Sequence, residues 1–93
     1  MKKHFTIKVS GHVQGVNFRA TIKKTAANLN LTGYAKNESD GSVTIEVEGR
    51  EESINCFLDQ FKGQFKKFPT PIKINEFKVQ ENQIIKNYLS FET

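Results

Sequence analysis

The sequence predicts an α+β fold in the order β-α-β-β-α-β, with a possible short fifth strand at the end of the chain. This is the split β-α-β, or ferredoxin-like, pattern: an antiparallel sheet of four to five strands with two helices on one face. Three observations predict it. Apolar and polar residues alternate around Ile7 and Ile45, the period of a half-buried strand. Two other stretches, led by Phe18 and Ile54, repeat apolar residues at helical spacing. Turn formers such as Gly15, Gly33, Gly41 and Pro69 separate these segments.

The elements follow in order. Phe5, Ile7 and Val9 alternate with Thr6, Lys8 and Ser10, a strand that is expected to end at Gly11. Phe18, Ile22, Ala26 and Leu29 form one stripe of a helix that stops near Asn30. Tyr34 to Asn37 reads as a second strand, and Asp40-Gly41 as a tight hairpin turn in which both residues tolerate positive φ. Val43, Ile45 and Val47 give the clearest alternation, closed by Gly49. Glu51 and Glu52 suit a helix N-terminus, and Ile54, Phe57, Leu58, Phe61 and Phe65 continue it as an amphipathic helix. Pro69 and Pro71 stop it. Ile72 and Ile74, then Phe77 and Val79, form a fourth strand whose parity slips midway, as at a bulge. Glu81 to Gln83 mark a turn, and Leu89 and Phe91 a short last strand.

Composition narrows the function classes. The 93 residues are expected to form a single domain over 1–93, with a core resting largely on the eight phenylalanines. A net charge of +4 favours anionic ligands. The lysines are scattered, so the charge does not diagnose nucleic-acid binding, and none is expected. Cys56 is the only cysteine, which excludes an internal disulfide and a cysteine-based metal site. It lies beside the apolar stripe of the second helix and reads as a packing residue. With only His4 and His12 besides, no metal and no cofactor are expected. No apolar run approaches the roughly 20 residues that span a bilayer. The alternating start, MKKHFTIKVSG, lacks the apolar stretch of a signal peptide. A cytoplasmic protein with no membrane contact is expected, and a monomer is the default at this size.

The segment GHVQGVNFR, Gly11 to Arg19, joins the first strand to the first helix. Its glycines let backbone N–H groups turn towards one point, and the helix N-terminus adds donors and the positive end of a dipole. Arg19, in the first helical turn, carries a planar guanidinium that grips two oxygens of a phosphate or carboxylate. On two glycines and an arginine alone, a plain loop with a surface arginine is the default reading. The glycine spacing matches neither the Walker nor the dinucleotide type. A second cluster, GYAKNESDGSVTIEVEG from Gly33 to Gly49, ends its first strand at Asn37. An amide there can accept from a water and donate to an oxyanion. In isolation, Asn37 reads as a turn former.

Together the two clusters resemble the acylphosphatase family. The first matches at Gly11, Val13, Gln14, Gly15, Val16, Phe18 and Arg19, and the second at Gly33, Tyr34, Ala35, Lys36, Asn37, Gly41, Val43 and Gly49. Strand order and length agree over essentially the whole chain. The resemblance implies metal-independent hydrolysis of an acyl phosphate to a carboxylate and inorganic phosphate, the latter a product and inhibitor. It implies a backbone cradle from Val13 through Gln14, Gly15, Val16 and Asn17 to Phe18. Arg19 would bind phosphate oxygens, and Asn37 would orient the attacking water. Tyr34 stands where animal members often carry tryptophan, and Glu38 where a small residue is more usual. Tyr34 is expected to pack, with little effect on the site, and Glu38 to point to solvent; pointing inward, its carboxylate would weaken substrate binding.

Two alternatives stay open. Ferredoxin-like domains also bind RNA on the open sheet face, although Glu46 and Glu48 on the polar side of the third strand would repel it. Acylphosphatase-like domains also open larger proteins that continue into Cys-rich zinc-binding segments. A chain ending at Thr93 is expected to be the free-standing enzyme.

Overall fold

A computed structural model of the chain describes residues 2–61 and 71–93. Its elements are β1 (Lys2–His12), α1 (Phe18–Asn28), β2 (Thr32–Asn37), β3 (Val43–Arg50), α2 (Glu51–Asp59), β4 (Lys73–Asn82) and β5 (Phe91–Glu92). They form one sheet in the order β4-β1-β3-β2-β5. The β1–α1–β2 unit skips one strand position, and β3 from the other unit fills it. The β3–α2–β4 unit likewise leaves a gap that β1 fills, the interleaving that defines a split β-α-β fold.

One expectation about the sheet is corrected. Strands β4, β1, β3 and β2 are antiparallel to their neighbours, but β5 runs parallel to β2. The register explains why. β4 finishes with Asn82 opposite His4, at the end of the sheet where Thr32 of β2 also begins opposite Glu48. The chain crosses the sheet at that end, so its only course along β2 is in β2's own direction. Leu89, expected in this strand, is 99% exposed and precedes it, while Phe91 is buried.

The core fills the space between one sheet face and the helices. Ile7, Val9, Ala35, Val43, Ile45 and Val47 supply the sheet side. Phe18, Ile22 and Ala26 of α1 meet them, as do Ile54, Phe57 and Leu58 of α2, followed by Phe61. Each of the larger side chains, from valine to phenylalanine, contributes about 1.5–3 kcal/mol when fully buried. Phenylalanines enter the core from both layers: Phe57 and Phe61 meet edge to face at 5.6 Å on the helix side, and Phe5, Phe77 and Phe91 reach it from the outer and central strands, while the middle of the sheet face is aliphatic. Phe65 and Pro69 lie outside the described residues. Cys56 is exposed rather than packed, because it falls one position off the buried Phe57 on a helix only one face of which meets the sheet.

Helix α1 ends as its sequence asks. Asn30 takes φ 59°, and the N–H groups of Leu31 and Asn30 donate to the carbonyls of Ala26 and Ala27 at 2.9 and 3.1 Å. This is a Schellman cap with asparagine in the left-handed position. The parity slip in β4 is a bulge. Ser10 pairs with Glu76 and Gly11 with Ile74, so Asn75 is the extra residue. Both Ile74 and Phe77 thereby pack against the core. β1 does not stop at Gly11. It runs past β4 so closely that a Cβ on Gly11 would lie 2.2 Å from the Lys73 carbonyl oxygen, and the residue sits at φ 137°. Glycine at this position serves strand passage, and the loop proper begins after His12.

The outer sheet face carries a polar cluster beneath residues 83–90. His4 is 2% exposed; its Nδ1 meets the Ile84 carbonyl at 2.7 Å and its Nε2 meets Glu46 Oε1 at 2.6 Å. Tyr34 and Tyr88 donate their hydroxyls to Glu46 at 3.0 and 3.3 Å. Glu48, fully buried, accepts from the backbone N–H groups of Lys86 and Tyr88. Burial alone would raise the Glu46 carboxyl, but hydrogen bonds from His4 and Tyr34 outweigh it and hold the group below the usual range. Burial, followed by the Glu46 charge, pushes the Tyr88 hydroxyl up to about 12. The expected acidic outer surface is therefore absent at these two residues: Glu46 and Glu48 are spent on fastening the crossing segment.

The β2–β3 hairpin is wider than the expected two-residue turn. Glu38 N–H donates to the Ser42 carbonyl at 2.8 Å, Gly41 N–H donates to the Glu38 carbonyl at 3.1 Å, and only Gly41 in the loop takes positive φ, 92°. Three residues, 39–41, thus form the loop, with glycine at its left-handed position. Asp40 holds the loop shut. Its Oδ1 accepts from the Ser42 hydroxyl at 2.6 Å and the Ser42 N–H at 3.0 Å, and its Oδ2 pairs with Lys8 at 3.2 Å.

These bonds, the Ser42 hydroxyl foremost, lower the Asp40 carboxyl to about 2. A group lowered on folding contributes stability above its unfolded pKa and loses it as pH falls through the folded one. The hairpin should therefore keep its shape above the usual carboxyl range and loosen as pH approaches 2. Carbon-detected titration should place the Asp40 midpoint near 2 and move it upward in Ser42→Ala. A midpoint unaffected by Ser42→Ala would contradict the assignment.

Candidate active site

The connection from β1 to α1 is built by two left-handed residues. Gly15 has φ 72° and Asn17 φ 64°, and alternating handedness of this kind turns successive N–H groups towards a common concavity. Gly15 has open space where a Cβ would stand, so its glycine answers to the backbone angle rather than to crowding. Asn17 caps α1 with its backbone: its carbonyl accepts the Thr21 N–H at 3.1 Å, while its side chain makes no capping bond. The first turn of α1 carries no acidic residue, whereas that of α2 carries Glu51 and Glu52. One helix complements its own positive end; the other presents it to whatever enters the loop.

A cavity of about 310 Å³ opens there, lined by Val13, Gly15, Asn17, Phe18, Arg19, Ala20 and Thr93. Val13 and Phe18, each 1% exposed, tie the two ends of the loop into the core. Arg19 follows Phe18 and borders the cavity, where its Nη1 donates to a backbone oxygen of Thr93 at 3.0 Å. A guanidinium has five N–H donors, so this one bond holds the group at the cavity and leaves capacity for oxygens within it. Cation, helix N-terminus and loop backbone converge on one volume, an arrangement that selects an oxyanion bearing several acceptors.

Of the residues singled out in the sequence, Val13, Gly15, Asn17, Phe18 and Arg19 line this cavity together; Gln14, Val16 and Asn37 lie outside its lining. Val16 packs partly against the core. Asn37 is exposed at the end of β2. It pairs in register with Val43 and so faces the helix-bearing side of the sheet, the side on which α1 begins. Lys36 pairs with Thr44 and faces the other way, as alternation requires. Gln14 bridges loop and hairpin: its Nε2 donates to the carbonyls of Glu38 and Ser42 at 2.8 and 2.9 Å. Two contacts had no local signal in the sequence. Arg19 meets Thr93 across 74 positions, and Gln14 meets Ser42 across 28. His12, in the variable position of the motif, is exposed.

Among the described residues no helix is long and apolar enough to cross a membrane. The acylphosphatase family profile matches residues 5–93. An acylphosphatase from Caldanaerobacter subterraneus subsp. tengcongensis is 37% identical, over 73% of this chain and 97% of its own length. The crystal structure of acylphosphatase from Bacillus subtilis superposes with a TM-score of 0.86 at 30% identity, covering 99% of this chain and 97% of that one. Full-length HypF in its phosphate- and nucleotide-bound form matches with a TM-score of 0.87 at 34% identity, covering 99% of this chain but 12% of that one. The profile spans nearly the whole chain and the fold superposes on these relatives, and the chain belongs to the acylphosphatase family.

Proposed function

We propose that the chain hydrolyses acyl phosphates without a metal ion, with the 13–18 loop and Arg19 holding the phosphate and Asn37 orienting the water. The observation that carries this reading is the cavity in which Arg19, Gly15 and Asn17 meet the unneutralised start of α1. The carboxyl-phosphate bond has a good leaving group, a carboxylate, and needs little help from a general acid. What remains is positioning and charge stabilisation, the main work of phosphoryl transfer.

The loop N–H groups and Arg19 bind the non-bridging oxygens and hold the phosphorus with one face towards the hairpin. Charge that builds on those oxygens meets donors already in place, so no reorganisation is needed at the transition state. Asn37 stands on a separate element, anchored by its place at the end of the β2–β3 ladder. Its amide carbonyl accepts one proton of the water and so aims a lone pair at phosphorus. A phosphate oxygen takes the other proton, which spares the site a dedicated base. The rival RNA-binding reading gains no support from the outer face, where Tyr34 and Tyr88 are engaged with Glu46 rather than presented for base stacking.

Turnover of a simple acyl phosphate should continue unchanged under exhaustive chelation; activity lost to chelator and restored by added metal would overturn the metal-free reading. Replacement of the two side chains should separate their roles. Arg19→Ala should weaken phosphate inhibition and lower kcat/KM by about 10²–10³-fold, the scale for removing one charge-stabilising donor. Asn37→Ala should lower kcat and leave phosphate inhibition near that of the parent. Loss of phosphate inhibition in Asn37→Ala would make that residue a binding group instead.

A further inference from the structure

We propose that Gln14 is a positioning residue: its side-chain amide ties the phosphate loop to the β2–β3 hairpin and thereby sets the distance between the cradle and Asn37. The proposal rests on the roles given above to the loop and Asn37. Both partners of Nε2 are carbonyl oxygens, of Glu38 at 2.8 Å and of Ser42 at 2.9 Å. Carbonyls only accept, which fixes the amide with its NH2 group towards the hairpin. That group has two protons, and the two carbonyls take both.

The place of these bonds matters more than their number. Asn37 and Val43 are the last register pair of the β2–β3 ladder. Glu38 follows Asn37 on one strand, and Ser42 precedes Val43 on the other. Gln14 therefore grips both strands one residue beyond Asn37. Each carbonyl already accepts a hairpin bond, Glu38 from Gly41 and Ser42 from Glu38, and Gln14 takes up a second acceptor site on each. The same residue supplies backbone to the loop immediately before Gly15. A shift of the loop is thus passed to the hairpin, and the reverse, through one side chain. The ladder fixes Asn37 to β3 but not to the loop, and its exposed side chain has no burial to add a second anchor; the tether supplies the link to the loop.

Gln14→Met keeps the length of the side chain and removes the donors. In the full-length chain it should lower kcat about 10–100-fold, the scale of a misplaced reacting group, with phosphate inhibition at neutral pH nearly unchanged. While its carboxyl is ionised, Gln14→Glu should be no more active than Gln14→Met, because a carboxylate facing two carbonyl oxygens can donate to neither. As pH falls through the ordinary carboxyl range of about 4.3, the protonated acid regains one O–H donor. Its kcat relative to Gln14→Met at the same pH should then rise. Wild-type kcat in Gln14→Met, a loss of phosphate inhibition in step with kcat, or Gln14→Glu tracking Gln14→Met at every pH would each overturn the proposal. Amide NMR with inorganic phosphate reads the tether without turnover. Phosphate should shift the amides of Val16 and Asn17 and also those of Glu38 and Gly41 in the wild type, but only the loop amides in Gln14→Met. Equal hairpin responses in both would refute the tether. A wild type inactive on acyl phosphates would instead refute the hydrolytic reading, with the tether still judged by these shifts.

Discussion

Burial of Phe18 is the constraint on which the site depends. It is the first residue of α1 and is 1% exposed. Its ring cannot leave the core without losing about 1.5–3 kcal/mol of transfer free energy, so the start of the helix is fixed relative to the sheet. Val13 is equally buried at the other end of the loop. Between two anchored residues the chain must reverse within 14–17, and Gly15 and Asn17 do so in left-handed conformations. Arg19, one step round the helix from Phe18, is thereby carried to the cavity. An apolar packing requirement thus produces a polar site.

Charge follows the same geometry. The two helices of this fold have opposite arrangements at their N-termini: α2 places Glu51 and Glu52 in its first turn, and α1 places Arg19 there and no acid. The second helix is electrostatically complete. The first concentrates positive potential at the mouth of a loop, with no acidic side chain in its first turn to balance it. On the outer face the balance is internal, since His4, Tyr34 and Tyr88 surround Glu46, and the 83–90 segment covers Glu48.

Much of this was legible in the sequence because it is local. Alternation gave the sheet face of Ile7 and Ile45, helical spacing gave Phe18, Ile22 and Ala26, and the slipped parity of Ile74 and Phe77 gave the bulge. The loop motif and its arginine were legible for the same reason. The rest depends on contacts between distant segments. The parallel direction of β5 follows from where β4 ends, the place of Gly11 from its passage beside Lys73, and the Gln14 tether from the hairpin's position in space. The outer glutamates read as a repulsive surface because nothing near them in sequence shows the His4 and Tyr88 that engage them. Cys56 was misread as packed because it borders the buried stripe of α2 without belonging to it.

In the proposed reaction the cavity holds phosphorus for attack by water from the hairpin side. A single turnover of an acyl phosphate in ¹⁸O-labelled water, followed by mass analysis of both products, tests it most directly. Attack at phosphorus puts the label in inorganic phosphate and none in the carboxylate. Label in the carboxylate would place the attack at the acyl carbon and contradict the account.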